Sequence, residues 1–140
     1  MNTEKVYILD DRGILYINGP DSLKFLQNLI SNDIEKVNES KSCFASLLSP
    51  QGKFLFDFIV VKHKDGYLLD CEKRIIDQLY KKLVMYKLRS DVEILNLSNE
   101  FVVAAFNHEK FLSIEGAKDE LGYTTKSVSY THLRAHETNQ

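Results

Sequence analysis

Two hydrophobic periods divide the chain. Apolar residues at every second position mark strands, and apolar residues at three- and four-residue steps mark helices. Strands are read at 5–10, 13–18, 42–48, 54–61, 67–71, 91–97 and 100–106. Helical spacing appears twice. After the breaker Gly19-Pro20, Asp21 is placed to cap a helix carrying Leu23, Leu26 and Ile30 on one face, with Phe25 and Leu29 beside them; Ser31-Asn32-Asp33 ends it. From Arg74 to Lys87 the apolar positions are Ile75, Leu79, Leu83 and Tyr86, and Lys73, Lys81, Lys82 and Lys87 mark a solvated face. Turn residues at Asp10-Asp11-Arg12-Gly13, Ser49-Pro50-Gln51-Gly52 and His63-Lys64-Asp65-Gly66 predict hairpins. The order is β-β-α-β-β-β-α-β-β, which predicts an α+β fold: an antiparallel sheet with two main helices.

One residue breaks the pattern. In the strand 54–61, Phe54, Phe56, Phe58 and Val60 fall on one face and Leu55, Ile59 and Val61 on the other, with Asp57 among the latter. A strand apolar on both faces is expected in the middle of a covered sheet. A carboxylate there costs several kcal/mol unless it is paired or hydrogen-bonded. Asp57 is therefore expected to be buried. It is either a structural anchor, satisfied by backbone amides or by a base such as Arg89, or an acceptor in a ligand site.

Composition narrows the function classes. A chain of 140 residues with 44% hydrophobic and 27% charged residues suits one soluble domain or part of one. The net charge of −2 gives no support for nucleic-acid binding. No apolar run is long enough to span a membrane, and Met1-Asn2-Thr3-Glu4-Lys5-Val6 has neither the layout of a signal peptide nor that of a transit peptide. These features predict a bacterial cytoplasmic protein in preference to one of the mitochondrial matrix. Cys43 and Cys71 read as buried free thiols, and two thiols are too few to hold a four-thiolate cluster. His63 reads as a solvated turn residue and His108 as a loop residue.

The end of the chain stands apart. Residues 127–140 continue none of these patterns and resemble translated sequencing-adapter DNA, so they are read as a non-native tail and set aside from the fold. His132 and His136 have the i, i+4 spacing of a helical zinc pair, but that spacing alone is a weak signal and no metal site is assigned.

Several short motifs occur together in order. Gly13-Ile14-Leu15-Tyr16-Ile17-Asn18-Gly19-Pro20-Asp21, Phe25-Leu26-Gln27, Asn32-Asp33-Ile34, Leu47-Leu48-Ser49-Pro50-Gln51-Gly52-Lys53 and Asp57-Phe58-Ile59-Val60 resemble the opening of the glycine-cleavage T-protein superfamily. Tyr67-Leu68-Leu69-Asp70-Cys71, Tyr86-Lys87-Leu88-Arg89-Ser90-Asp91-Val92 and Glu120-Leu121-Gly122-Tyr123 resemble its folate-binding YgfZ branch, which includes iron–sulfur cluster assembly factors. The resemblance covers about residues 6 to 125.

The resemblance implies tetrahydrofolate as ligand and iron–sulfur enzymes or their assembly machinery as partners. Aminomethyltransferases of the superfamily carry two adjacent aspartates on the central strand, the first linked to catalysis. Here Phe56 stands first and only the second, Asp57, remains. Phenylalanine accepts no hydrogen bond, so the resemblance implies a folate-binding protein without aminomethyl transfer, and no residue is assigned a catalytic role. Asp57, Arg89, Asn32 and Asp33 are the expected folate-binding residues. For Arg89 the alternatives are a ligand carboxylate or a structural pair, and for Asn32 and Asp33 a ligand channel or a helix cap. A folate-dependent transferase and a ligand-free α+β scaffold stay open as alternative functions. The branch's downstream Lys-Gly-Cys-Tyr-x-Gly-Gln-Glu signature is absent. Residues 1–126 are accordingly expected to be the N-terminal part of a longer folate-binding domain.

Overall fold

The computed structural model describes residues 7–38, 41–106, 122–124 and 129–134. The strands are β1 (Tyr7–Ile8), β2 (Arg12–Asn18), β3 (Cys43–Leu48), β4 (Phe54–His63), β5 (Gly66–Glu72), β6 (Glu93–Asn96), β7 (Phe101–Phe106), β8 (Gly122–Thr124) and β9 (Ser129–Arg134). The helices are α1 (Ser22–Gln27) and α2 (Ile76–Lys87). The fold is α+β, with antiparallel pairing throughout the described strands.

The described strands form two sheets. One has five strands in the order β3-β4-β5-β2-β6, and the other has four in the order β1-β7-β9-β8. Alternation on the five-stranded sheet feeds two cores. Leu15, Ile17, Phe58, Val60, Leu69 and Cys71 face the helices, where Phe25 and Leu26 of α1 and Ile76, Leu79 and Leu83 of α2 complete the larger core. Ile14, Tyr16, Ile59, Val61 and Leu68 face the other way and meet Val103 of β7. The molecule is thus three layers deep: helices, five-stranded sheet, four-stranded sheet.

The turns at 49–52 and 63–66 form the β3–β4 and β4–β5 hairpins as expected. The turn at 10–13 does not form one. β1 pairs with β7, and β2 pairs with β5 and β6, so this turn carries the chain from one sheet to the other. β6 and β7 are likewise sequence neighbours in different sheets. Local turn chemistry predicts a change of direction but not which strand is met afterwards.

Three further expectations are corrected. Asp21 makes no capping bond to α1; its Oδ2 instead accepts from the Asp91 backbone N–H at 2.7 Å, while the Asp21 N–H donates to the Asp91 carbonyl. Gly19 beside it has φ +119°, and a Cβ there would lie 2.5 Å from the Asp91 carbonyl oxygen. The start of α1 is therefore seated against the start of β6, and only glycine allows that approach. His63 is buried, edge-on to the rings of Tyr16 and Phe101, because β7 closes over the hairpin end. Finally, Ser129–Arg134, set aside in the sequence, pairs with β7 in register from Phe101↔Arg134 to Phe106↔Ser129. Backbone hydrogen bonds are independent of side-chain pattern, so an open strand edge recruits a segment that alternation does not mark. His132 consequently lies in a strand rather than on a helix, and His108 and His136 lie outside the described residues.

Candidate functional site

The β3–β4 hairpin reaches beyond its neighbours at one end. β4 pairs with β3 from Phe54 to Val60, but with β5 only from Ile59 to His63. Residues 54–58 therefore have a strand on one side alone. This overturns the expected burial of Asp57, whose residue is exposed. Periodicity shows which face a residue takes, not whether another strand or layer covers it.

Asp57 is nonetheless held. Its Oδ1 accepts a hydrogen bond from the hydroxyl of buried Ser46, directly opposite on β3. Around it the same sheet face is open and apolar. Phe44, opposite Ile59, is 52% exposed, and Leu55, two residues before Asp57, is 37% exposed. Phe56 turns to the helix side and is half-buried against the larger core. The two positions of the superfamily's aspartate pair therefore lie on opposite faces, the first filled by a ring packed inward and the second by a carboxylate presented outward.

The loop after α1 lies along the free edge of β3. Ile30 bridges to Leu47, the Ser31 N–H donates to the Ser46 carbonyl, and the Ser46 N–H donates to Ser31 Oγ. Asn32 Nδ2 donates to the Phe44 carbonyl at 3.0 Å, and Asn32 Oδ1 accepts from the Asp33 N–H. Asp33 Oδ1 accepts from Gln27 Nε2 and from the Glu35 N–H, both at 3.0 Å, so Asp33 caps the short 3-10 turn at Ile34–Lys36. Asn32 and Asp33 thus lie by the free edge of β3, and their polar atoms are engaged in fixing the loop.

Arg89 is elsewhere. It lies exposed after α2, in a cleft of about 350 Å³ between α1 and the end of α2, and forms no pair with Asp57. Leu88 before it has φ +44° and is 86% exposed.

A second carboxylate lies outside the set of expected site residues. Asp70, on β5 opposite Ile59 and Ile14, is fully buried. Arg12 Nε lies 3.0 Å from Asp70 Oδ1, and Arg12 Nη2 donates to the Asp70 carbonyl. Tyr67-Leu68-Leu69-Asp70-Cys71 carries the same signal as the Asp57 strand, a carboxylate within an apolar run, and that signal was available. Burial pushes the thiol of neighbouring Cys71 up to about 12 and raises that of Cys43, so both are inert thiols at neutral pH. Among the described residues no group of His, Cys, Asp and Glu side chains is placed to hold a metal, and no helix is long and apolar enough to cross a membrane.

No family model matches the chain. It is 28% identical to the mitochondrial iron–sulfur cluster assembly factor IBA57 homolog of Mycosarcoma maydis, over 87% of this chain and 36% of that protein. The chain thus spans about a third of the length of that curated relative. Its fold is similar to glycine cleavage system aminomethyltransferase T from Bartonella henselae, with a TM-score of 0.63 at 16% identity over 71% of this chain and 27% of the other. The sequence relative and the shared fold both support the resemblance of the chain to the YgfZ/IBA57 branch of the glycine-cleavage T-protein-like proteins.

Proposed function

We propose that the chain forms one wall of a tetrahydrofolate site in a protein that supports iron–sulfur cluster assembly, and that it performs no aminomethyl transfer. The observation that carries this reading is the outward-facing Asp57 carboxylate, tethered by Ser46 between exposed Phe44 and Leu55. A carboxylate accepts hydrogen bonds from the amino group and ring N–H of a pterin. Flanking apolar side chains suit the faces of a flat heteroaromatic ring. The role in cluster assembly rests on the sequence relative named above. Phe56, packed inward, leaves no second carboxylate to act on a folate nitrogen.

On this reading residues 1–126 are the N-terminal part of the domain, and the remaining length of the relatives supplies the opposite wall. The partners would be folate and the iron–sulfur assembly machinery. The test is calorimetric titration of tetrahydrofolate into the protein produced from its complete reading frame. Saturable binding is expected, with Asp57→Asn weakening it by about tenfold or more, as for a lost charge-assisted hydrogen bond. No saturation, or equal binding by Asp57→Asn, would sink the folate reading.

A further inference from the structure

The cleft between α1 and the end of α2 has no part in that proposal, and its charge is unbalanced. Lys24 of α1, Lys87 at the end of α2 and Arg89 beyond it all line one opening of about 350 Å³. Among the described residues none of the three forms an ion pair. Among the described residues lining the cleft Asp21 is the one acid, its Oδ2 held by the Asp91 N–H, and its single negative charge leaves the three cations in excess. Three cations drawn together in a chain of net charge −2 repel one another. The carbonyl end of α2 offsets part of that repulsion for Lys87 and Arg89. It does nothing comparable for Lys24, which comes from the other helix.

The rest of the cleft has a mixed lining: apolar side chains beside Asn28 and Ser90. Buried Phe25 and half-buried Leu29 and Tyr86 line it. A cleft of this size, with a partly apolar lining and several charged groups along it, has the make-up of a small-molecule site. We infer that this cleft binds a small amphipathic anion, an aromatic or aliphatic body on Phe25, Leu29 and Tyr86 with carboxylate or phosphate groups on Lys24, Lys87 and Arg89. Arg89 supplies the planar donor fork that either anion takes bidentately, and the lysines act as point charges. This inference is independent of the role proposed for Asp57.

The test is an NMR titration of the 140-residue protein with isophthalate and with phenyl phosphate, using inorganic phosphate as the probe without a body. At least one of the two aromatic anions is expected to saturate with a dissociation constant of about 1 mM or tighter, about tenfold tighter than inorganic phosphate. The tighter of the two identifies carboxylate or phosphate as the preferred group. Amide shifts are expected at Asn28 and Ser90, which line the cleft. Arg89→Ala should weaken binding by about tenfold. Lys53→Ala, which removes an exposed charge in the β3–β4 turn, should leave it unchanged. Both Arg89 and Lys53 are exposed, so neither variant threatens the fold. Failure of both aromatic anions to saturate, inorganic phosphate binding as tightly as they do, or full affinity in Arg89→Ala would each overturn the inference.

Discussion

Asp57 and Asp70 stand on the same face of the same sheet, one diagonal step apart, and their surroundings are opposite. Asp70 opposes Ile59, two residues along from Asp57. It lies on the middle strand, with β4 on one side and β2 on the other, and is fully buried beside Arg12. Asp57 lies where β4 has outrun β5, and among the described residues its hydrogen bond is to Ser46. The covered end of this face is built like a core, and the open end presents its side chains to solvent. Nothing in the residue type separates the two aspartates. The number of strands and layers over each one does, and that is a tertiary property.

The comparison breaks most sharply if the carboxylates are removed. Asp70→Ala leaves a largely buried guanidinium without its carboxylate, which costs about 3–5 kcal/mol. Asp57→Ala removes one hydrogen bond at an exposed site and should cost about 1 kcal/mol or less. Urea unfolding of both variants measures the difference. Replacing the pair together, Arg12→Met with Asp70→Leu, should recover much of the loss, because well-packed apolar side chains often replace a buried ion pair without penalty. Equal destabilisation by the two single substitutions would mean that the two ends do not differ in cover.

Much of this was legible in the sequence. The strands β2 to β6, the turns at 49–52 and 63–66 and the buried face of α2 follow from alternation, turn residues and helical spacing. What was not legible depends on contacts between distant segments. Asp57 was expected buried because β5's shorter reach leaves no trace in the β4 sequence. His63 was expected solvated because β7, which covers it, is about 40 residues away. The Asp21–Asp91 contact joins two motifs that the resemblance quotes separately, and only the fold shows that one seats the other.

A smaller effect sharpens the contrast between strands. Cys71 lies on the middle strand under the helices, and its thiol stays protonated to about 12, chiefly through loss of hydration. The unfolded chain releases that proton near the reference value of 9. Above it the unfolded state holds fewer protons than the folded state, so stability is fully present below about pH 9 and is lost as pH rises toward 12. By about pH 10.5 the loss is about 2 kcal/mol, and Cys71→Ala should flatten this part of the pH–stability curve. The thiol of Cys43, on the edge strand β3, is raised as well, but nearby Lys36 partly counters the loss of hydration. Cys43→Ala should therefore change the slope less. Equal slopes for the two variants would show that central and edge strands exclude water alike.

The least costly change asks what keeps Asp70 covered. Val103 and Phe101 of β7, together with Leu9, pack on the covered end, whereas β9 only flanks β7. If sealing resides in β7, deleting residues 127–140 removes a flanking strand and costs on the order of 1 kcal/mol. The penalty for Asp70→Ala should then be the same with and without those residues, as for independent sites in a double-mutant cycle. That outcome is the one expected if the final residues are an addition to a domain that does not require them. Were the Asp70→Ala penalty to fall by more than about 1 kcal/mol in the shortened chain, the two changes would be coupled. The cover over Asp70 would then depend on β9, and the last strand would belong to the fold as fully as the five-stranded sheet does.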